Sequence, residues 1–275
     1  MGNAFSVLMS VYYKEDPSNL ELAFRSILIE QTQIPNEFIL VCDGALNEKL
    51  DAVIEKYEKK FSNILKVYRQ KNNQGLGKAL NFGLTKCRYE LIARADSDDI
   101  CQKNRFEIQL IFMLQHPEIS IISSYIDEFN TDYTKPQNIK KLPLKHAELV
   151  NMAKFRNPLN HMAVMFRKRD IIEIGSYHNL PYVEDYELWV RAIINGKKLA
   201  NIDSVLVHAR VGNCMIKRRG NREYIKSWKV LSSYMLHNGM INRFEYYRNM
   251  IAVRGFIYMS VGLKEIVYKL ILRKE

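Results

Sequence analysis

Several signatures that would place this chain in a familiar class are missing. Its four cysteines, Cys42, Cys87, Cys101 and Cys214, form no CxxC pair and have no histidines at zinc-ligand spacing. That excludes a zinc ribbon or a disulfide scaffold and predicts reduced thiols. No run reaches the ~18 uninterrupted apolar residues of a membrane span, and nothing reads as a signal peptide. Met1-Gly2-Asn3-Ala4-Phe5-Ser6 matches the acylation pattern but runs straight into a strand-like segment, so acylation is not expected. Neither GxGxxG nor GxxxxGK[ST] occurs, which argues against a dinucleotide dehydrogenase or a P-loop enzyme. Without a GxSxG elbow or a reactive cysteine signature, nucleophilic hydrolysis has no support either.

Acids are scarce in one region. Residues 211–275 hold 13 Lys and Arg against four acids, a balance of +9, whereas residues 1–210 carry only +2. This asymmetry points to phosphates, whether of nucleic acid, a nucleotide or anionic lipid; the bland alternative is a solubilising surface. What the chain has in quantity is core: 275 residues, 47% hydrophobic and 11% aromatic, which excludes disorder.

The first half alternates short apolar runs with helical periodicity. Strands are predicted at Phe5–Tyr12, Phe38–Cys42, Ile64–Tyr68, Glu90–Arg94 and Ile119–Ser123. Helices are predicted after Asp16-Pro17-Ser18-Asn19, over Glu48–Lys60, Gly77–Cys87 and Arg105–Gln115. That alternation means βαβ units and a mostly parallel, Rossmann-like α/β sheet flanked by helices. Thr131–Leu142 reads as a loop, Ala163–Phe166 and Val205–Arg210 as strands, and Glu184–Asn195 as a helix closed by Gly196. From Asn221 onward, basic residues interleave with aromatics such as Tyr224, Trp228, Phe244 and Tyr268 on predicted helices.

In an open parallel sheet, ligands bind beyond the carboxyl ends of the strands. Three such ends carry short polar groups: Tyr12-Tyr13-Lys14-Glu15, Asp43-Gly44 and Asp96-Ser97-Asp98-Asp99. A DxD is often a turn, but one that follows a buried strand favours a hard divalent cation held by carboxylates. Asn72-Asn73-Gln74-Gly75-Leu76-Gly77-Lys78 is either a helix-starting turn or an approach to a diphosphate or base. Glu184-Asp185 admits two readings as well, favourable charge against a helix dipole or a general base at Asp185. His161, alone among apolar neighbours, reads as structural.

Taken in order, "VYYKEDP" (Val11–Pro17), "PNEFILVCDG" (Pro35–Gly44), "NNQGLGKALNFG" (Asn72–Gly83), "ARADSDD" (Ala93–Asp99) and "EDYELWVR" (Glu184–Arg191) resemble glycosyltransferase family 2. "NHMAVMFRK" and "VLVHARVGNCMIKRRG" bring the chain near the bacterial exopolysaccharide and O-antigen transferases of amylovoran type. The resemblance spans about residues 5–220 and implies a GT-A fold and an inverting transfer from a nucleotide-sugar, with UDP favoured. It implies Asp185 as catalytic base, Asp98 and Asp96 as ligands of Mn²⁺ or Mg²⁺, and Asp96 near the ribose. Asp43 matches the contact to the nucleotide base, and Tyr12 and Glu15 line the nucleotide pocket. Cys42 departs from the commoner "DDG", and Lys78 stands where arginine is frequent. Arg210 and Lys217-Arg218-Arg219 are placed to cap the diphosphate, unless that run faces lipid.

The expectation is therefore a catalytic domain over residues 1–220 and a basic helical region over 221–275. The expected acceptor is a lipid-linked saccharide, the expected location the inner face of the cytoplasmic membrane, and the expected surface partner anionic lipid rather than nucleic acid. The rivals are a sugar-phosphate nucleotidyltransferase, which would carry a Gly-rich basic loop where Tyr12–Glu15 stands, and a non-catalytic basic protein binding nucleic acid or membrane.

Overall fold

A computed structural model of the protein describes residues 4–211 and 222–259. Met1-Gly2-Asn3, Cys214, Lys217-Arg218-Arg219 and Tyr268 lie outside the described residues. Strands β1 (Phe5–Val11) and β2 (Glu37–Cys42) are buried at every position but Ser10. Both faces are covered by helices, so neither strand alternates polar and apolar residues. Their side chains divide by parity. Phe5, Val7, Met9 and Val11, with Phe38, Leu40 and Cys42, share one core with helices α1 (Pro17–Leu28) and α2 (Glu48–Lys60). Leu8, Ile39 and Val41 face the other way, onto helix α3 (Leu76–Lys86).

Local chemistry sets the helix boundaries. Asp16 caps α1 by accepting from the Ser18 N–H with Pro17 beginning the helix, and Asn47 caps α2 by accepting from the Leu50 N–H. Gly83 lets α3 approach the sheet: a Cβ there would stand 2.4 Å from Leu8 Cδ1 and 2.8 Å from Val41 Cγ2. The three described cysteines, Cys42, Cys87 and Cys101, are buried and free, and burial pushes the Cys42 thiol up to about 11 and Cys87 to about 12.

Strands β3 (Leu65–Arg69) and β4 (Leu91–Arg94) complete a parallel ladder in the order β3-β2-β1-β4. Beyond it the mostly parallel sheet takes on antiparallel pairings. Strand β5 (Ile100–Cys101) and helix α4 (Arg105–Gln115) precede β6 (Ile119–Phe129), and β7 (Asn138–Lys140) pairs onto β6 inside the segment expected to be loop. Helix α5 (His146–Met152) leads on to β8 (Met165–Arg167), which runs antiparallel between β4 and β6. Strand β9 (Lys198–Arg210) lies parallel to β6 and carries β5 at the far edge.

Helix α6 (Lys168–Glu173) is followed by α7 (Glu184–Ile194), which separates two cores. Leu188, Trp189 and Ala192 of α7 face the sheet. Tyr186 and Val190 face helices α8 (Arg222–His237) and α9 (Arg243–Tyr258) through Trp228, Leu231, Met235, Val253 and Ile257. Residues 222–258 thus form a helical pair, joined to the rest by a shared apolar cluster. Among the described residues, no helix is long and apolar enough to cross a membrane.

Candidate active site

Carboxylates tie the loops at the carboxyl ends of the strands in two pairs, the β2 loop to the β3 loop and the β1 loop to the β4 loop. After β2, Asp43 is buried, and its two oxygens accept from the N–H groups of Gln74 (2.8 Å) and Gly75 (2.9 Å). Gly44 has φ +90°, and a Cβ there would lie 2.7 Å from the Asn73 nitrogen, so this close approach of two loops requires glycine. Asp43 therefore fixes the loop that starts α3, and Lys78 stands exposed on the first turn of that helix. After β1, Glu15 accepts from the Asp16 N–H at 2.8 Å through one oxygen and from Ser97 Oγ at 2.7 Å through the other. Tyr12 is exposed and packs edge-on against Tyr13.

Beyond β4, Asp96, Asp98 and Asp99 bring one carboxylate oxygen each within 4.8 Å of the others. Burial and the charges of Asp96 and Glu15 push Asp98 up to about 7. Asp99 is raised well above the carboxylate range by burial and by Asp98 and Asp96, and its Oδ2 is buried with no partner. Three acids that cannot all ionise, one of them with an orphaned oxygen, are a donor set fit for a hard cation.

Cationic groups flank the cluster from two directions. Arg210, at the end of β9, donates from its backbone N–H to Asp99 Oδ1 (2.7 Å) and from Nε to the Asp98 carbonyl (3.2 Å). Its guanidinium lies 4.5 Å from the centre of the Phe129 ring. From beneath, the buried guanidinium of Arg94 pairs with Asp96 but leaves Nε and Nη1 unpaired.

The second acid group begins α7. Asp185 accepts from the Tyr186 N–H at 2.8 Å through Oδ1 and from Asn157 Nδ2 at 2.6 Å through Oδ2. Asn157 is itself oriented by the Leu159 N–H, which donates to its Oδ1 at 3.2 Å. Glu184 is pushed up to about 7 by burial and by Asp185. The segment leading into α7 lies over the start of α3, where a Cβ on Gly77 would come 2.8 Å from the His178 carbonyl.

Tyr177 joins the two acid groups. Burial pushes its ionisation to higher pH, Arg94 opposes that, and Asp185, Asp96 and Glu184 add to it, so all four charged groups act on one phenol. Its hydroxyl bonds His161 Nε2 at 3.0 Å, and the His161 ring meets Trp189 edge-on. Burial and Arg94 hold His161 well below its ordinary value, so it is a neutral, structural histidine.

Tyr12, Glu15, Asp43, Lys78, Asp96, Asp98 and Asp185 thus stand on these loops and helix starts, and Arg210 ends strand β9. Sequence reasoning missed four contributors: Asp99 as a third acid, Ser97 as the tie to Glu15, Arg94 beneath Asp96, and Asn157 on Asp185. Asp99 was legible as part of the acidic run. Asn157 acts across 28 residues, and no local signal marks it.

Residues 6–175 match the family model described as glycosyl transferase family 2. The chain belongs to glycosyltransferase family 2. It is 42% identical over 223 residues to the amylovoran biosynthesis glycosyltransferase AmsE of Erwinia amylovora, a match covering 81% of this chain and 82% of that one. It is 36% identical over 271 residues to the UDP-Gal:alpha-D-GlcNAc-diphosphoundecaprenol beta-1,3-galactosyltransferase of Escherichia coli, covering 98% of this chain and 97% of that one.

Among solved structures, S. aureus TarS 1-349 in complex with UDP-GlcNAc superposes with a TM-score of 0.67 at 18% identity, covering 98% of this chain and 76% of that one. The mannosyltransferase PcManGT from Pyrobaculum calidifontis, in complex with GDP-Man and Mn²⁺, superposes at 0.61 with 11% identity, covering 96% of this chain and 78% of that one. The fold is GT-A and the chain is a glycosyltransferase, which removes the nucleotidyltransferase and the non-catalytic binding protein as readings.

Proposed function

We propose that this glycosyltransferase moves one sugar from a UDP-linked donor to a hydroxyl of a lipid-linked saccharide, with inversion at the anomeric carbon, at the inner face of the cytoplasmic membrane. The carrying observation is the gathering of Asp96, Asp98 and Asp99 under Arg210 at the carboxyl edge of the sheet. The name of the E. coli relative supports the donor and acceptor kinds, since that protein uses UDP-Gal and a diphosphoundecaprenol-linked sugar.

In this reading Asp98 and Asp96 hold Mn²⁺ or Mg²⁺, with the buried Asp99 oxygen behind them. Such a cation, when bound, offsets charge developing on the departing diphosphate. Arg210 faces the same oxygens from β9, and Lys78 approaches them from the start of α3. Asp43 keeps the loop after β2 in register for the base, while Tyr12 and Glu15 form the nucleotide wall. Asp185 takes the proton from the acceptor hydroxyl as its oxygen bonds the anomeric carbon and the bond to the diphosphate oxygen breaks. Residues 1–220 form the catalytic domain and 221–275 the attachment region for an anionic membrane surface; nucleic acid has no part in it.

A panel of nucleotide-sugars, with liberated nucleoside diphosphate as readout, tests the proposal. One UDP-sugar should be turned over only with Mn²⁺ or Mg²⁺ present. Activity that persists in excess chelator and in Asp98→Ala would sink it.

A further inference from the structure

Helix α9 does something its packing does not require. Asn242 and Glu245 form a reciprocal capping box at its start, so its phase is well fixed. Asn249, Met250, Val253 and Ile257 are buried on the side toward α7 and α8. The outward side is apolar too: Phe244, Tyr247, Ile251 and Tyr258 are between 63% and 77% exposed. At ~100° per residue these four fall within about 60° of one another, a single stripe along the helix. Arg243 and Arg254 border the stripe on one side and Arg248 on the other, while Glu245 projects roughly 130° from its centre. An exposed aromatic and aliphatic stripe between two arginine edges, with no acid on that face, is the pattern of a helix lying in a lipid interface.

The stripe continues toward the site. The Arg248 guanidinium lies 5.7 Å from the centre of the Phe155 ring, and Phe155 is itself 53% exposed. Asn249 Nδ2 donates to the Lys154 carbonyl at 2.7 Å, fastening α9 to that turn. Two residues after Phe155, at most about 7 Å along the chain, comes Asn157, whose amide holds Asp185.

We infer that the outer face of α9, with Phe155, rests on an anionic lipid bilayer and presents the headgroup region to the Asp185 side of the site. The inference rests on the proposed lipid-linked acceptor and adds the face that meets the bilayer. Charge complementarity selects this occupant. A second copy docked face to face would set arginines against arginines with no acid to answer them, whereas phosphatidylglycerol headgroups answer all three.

The test uses the full chain with vesicles of phosphatidylcholine alone or mixed with phosphatidylglycerol. The wild type should sediment with the mixed vesicles, and less so as salt rises. The triple substitution Phe244→Ser, Tyr247→Ser, Ile251→Ser should cut the bound fraction by about tenfold or more. It removes only exposed side chains, so donor hydrolysis in solution and the circular dichroism spectrum should stay at wild-type values. Arg243→Glu with Arg254→Glu should abolish the preference for phosphatidylglycerol.

Undiminished vesicle binding by the triple variant would overturn the inference, as would a wild type indifferent to phosphatidylglycerol. A wild-type dimer that the triple variant splits, with lipid binding intact, would overturn it in favour of a second copy. Wild-type vesicle binding without any donor turnover would strike the proposed transfer while leaving the membrane face in place.

Discussion

The two acid groups of the site each hold a buried acid raised to about 7, Asp98 in one and Glu184 in the other, but differ in how the neighbouring acids are held. At the end of β4, Asp96, Asp98 and Asp99 crowd together, and burial with their mutual repulsion pushes Asp98 up to about 7 and Asp99 well above the ordinary carboxylate range. At the start of α7, Asp185 is met by neutral donors, the Asn157 amide and the Tyr186 N–H, one on each oxygen. The first arrangement is electrostatically incomplete and becomes favourable when a cation enters. In the second, burial and Asp185 likewise raise Glu184, to about 7, but the two hydrogen bonds on Asp185 fix the direction of its carboxylate. In the proposed mechanism the first group holds a cation and Asp185 accepts a proton.

The sharpest way to break that contrast is to neutralise each group in turn. Asp185→Asn keeps the shape and should lower kcat by about 10³-fold, within the usual range for a lost general base, while calorimetric donor affinity holds. If donor binding fell with turnover, Asp185 would belong to the nucleotide pocket instead. Asp98→Ala should lower turnover by roughly 10²-fold and weaken donor binding as well, because its effect runs through the diphosphate end. Equal donor affinity in wild type and Asp98→Ala would erase the distinction between the groups.

How much of this was legible in the sequence follows from the range of each interaction. The Asp96–Asp99 run and Glu184-Asp185 could be found because strand ends and helix starts are local events. The βαβ half was legible for the same reason: Glu48–Lys60 and Arg105–Gln115 are helices at the bounds their periodicity predicts. Strand β6 runs six residues beyond its expected end at Ser123 because its polar side chains are satisfied by distant partners. Ser123 Oγ donates to the Asn160 carbonyl, and Asp127 meets His208 at 2.8 Å. Buried polar residues paired across the chain leave no apolar run to read. Insertion of β8 between β4 and β6, which makes the sheet mixed, depends on pairing that no local pattern encodes.

Asn157 offers a finer test of the second group. Asn157→Ala deletes a 2.6 Å hydrogen bond to the Asp185 carboxylate and should lower kcat by about tenfold or more, with the donor KM unchanged. A merely structural role would stop there. A positioning role also moves the acid limb of the pH–rate profile to higher pH, since the ionised form loses a donor. In an Asp185→Asn background the same substitution should cost little, because the two act as one unit. Full additivity would place Asn157 outside the base.

The smallest expected effect separates the groups by linkage. Asp98 sits at about 7 in the folded chain against an ordinary 3.8, so between those values the folded state holds a proton that the unfolded state has released. Without a cation, stability contributed there is present at low pH and falls as pH rises through about 7. A divalent cation needs the carboxylates ionised, so its binding competes with that proton and strengthens as the proton leaves. Melting curves with and without Mn²⁺ should therefore differ by a few degrees more at about pH 8 than at about pH 5. Asp98→Asn should flatten that pH dependence, because the titrating group is gone. Asp185→Asn should leave it intact, because that carboxylate is not one of the three gathered at the end of β4. If instead the Mn²⁺ shift were the same at both pH values, or Asp185→Asn flattened it, the acids at β4 and α7 would form one electrostatic unit and the contrast drawn between them would fail.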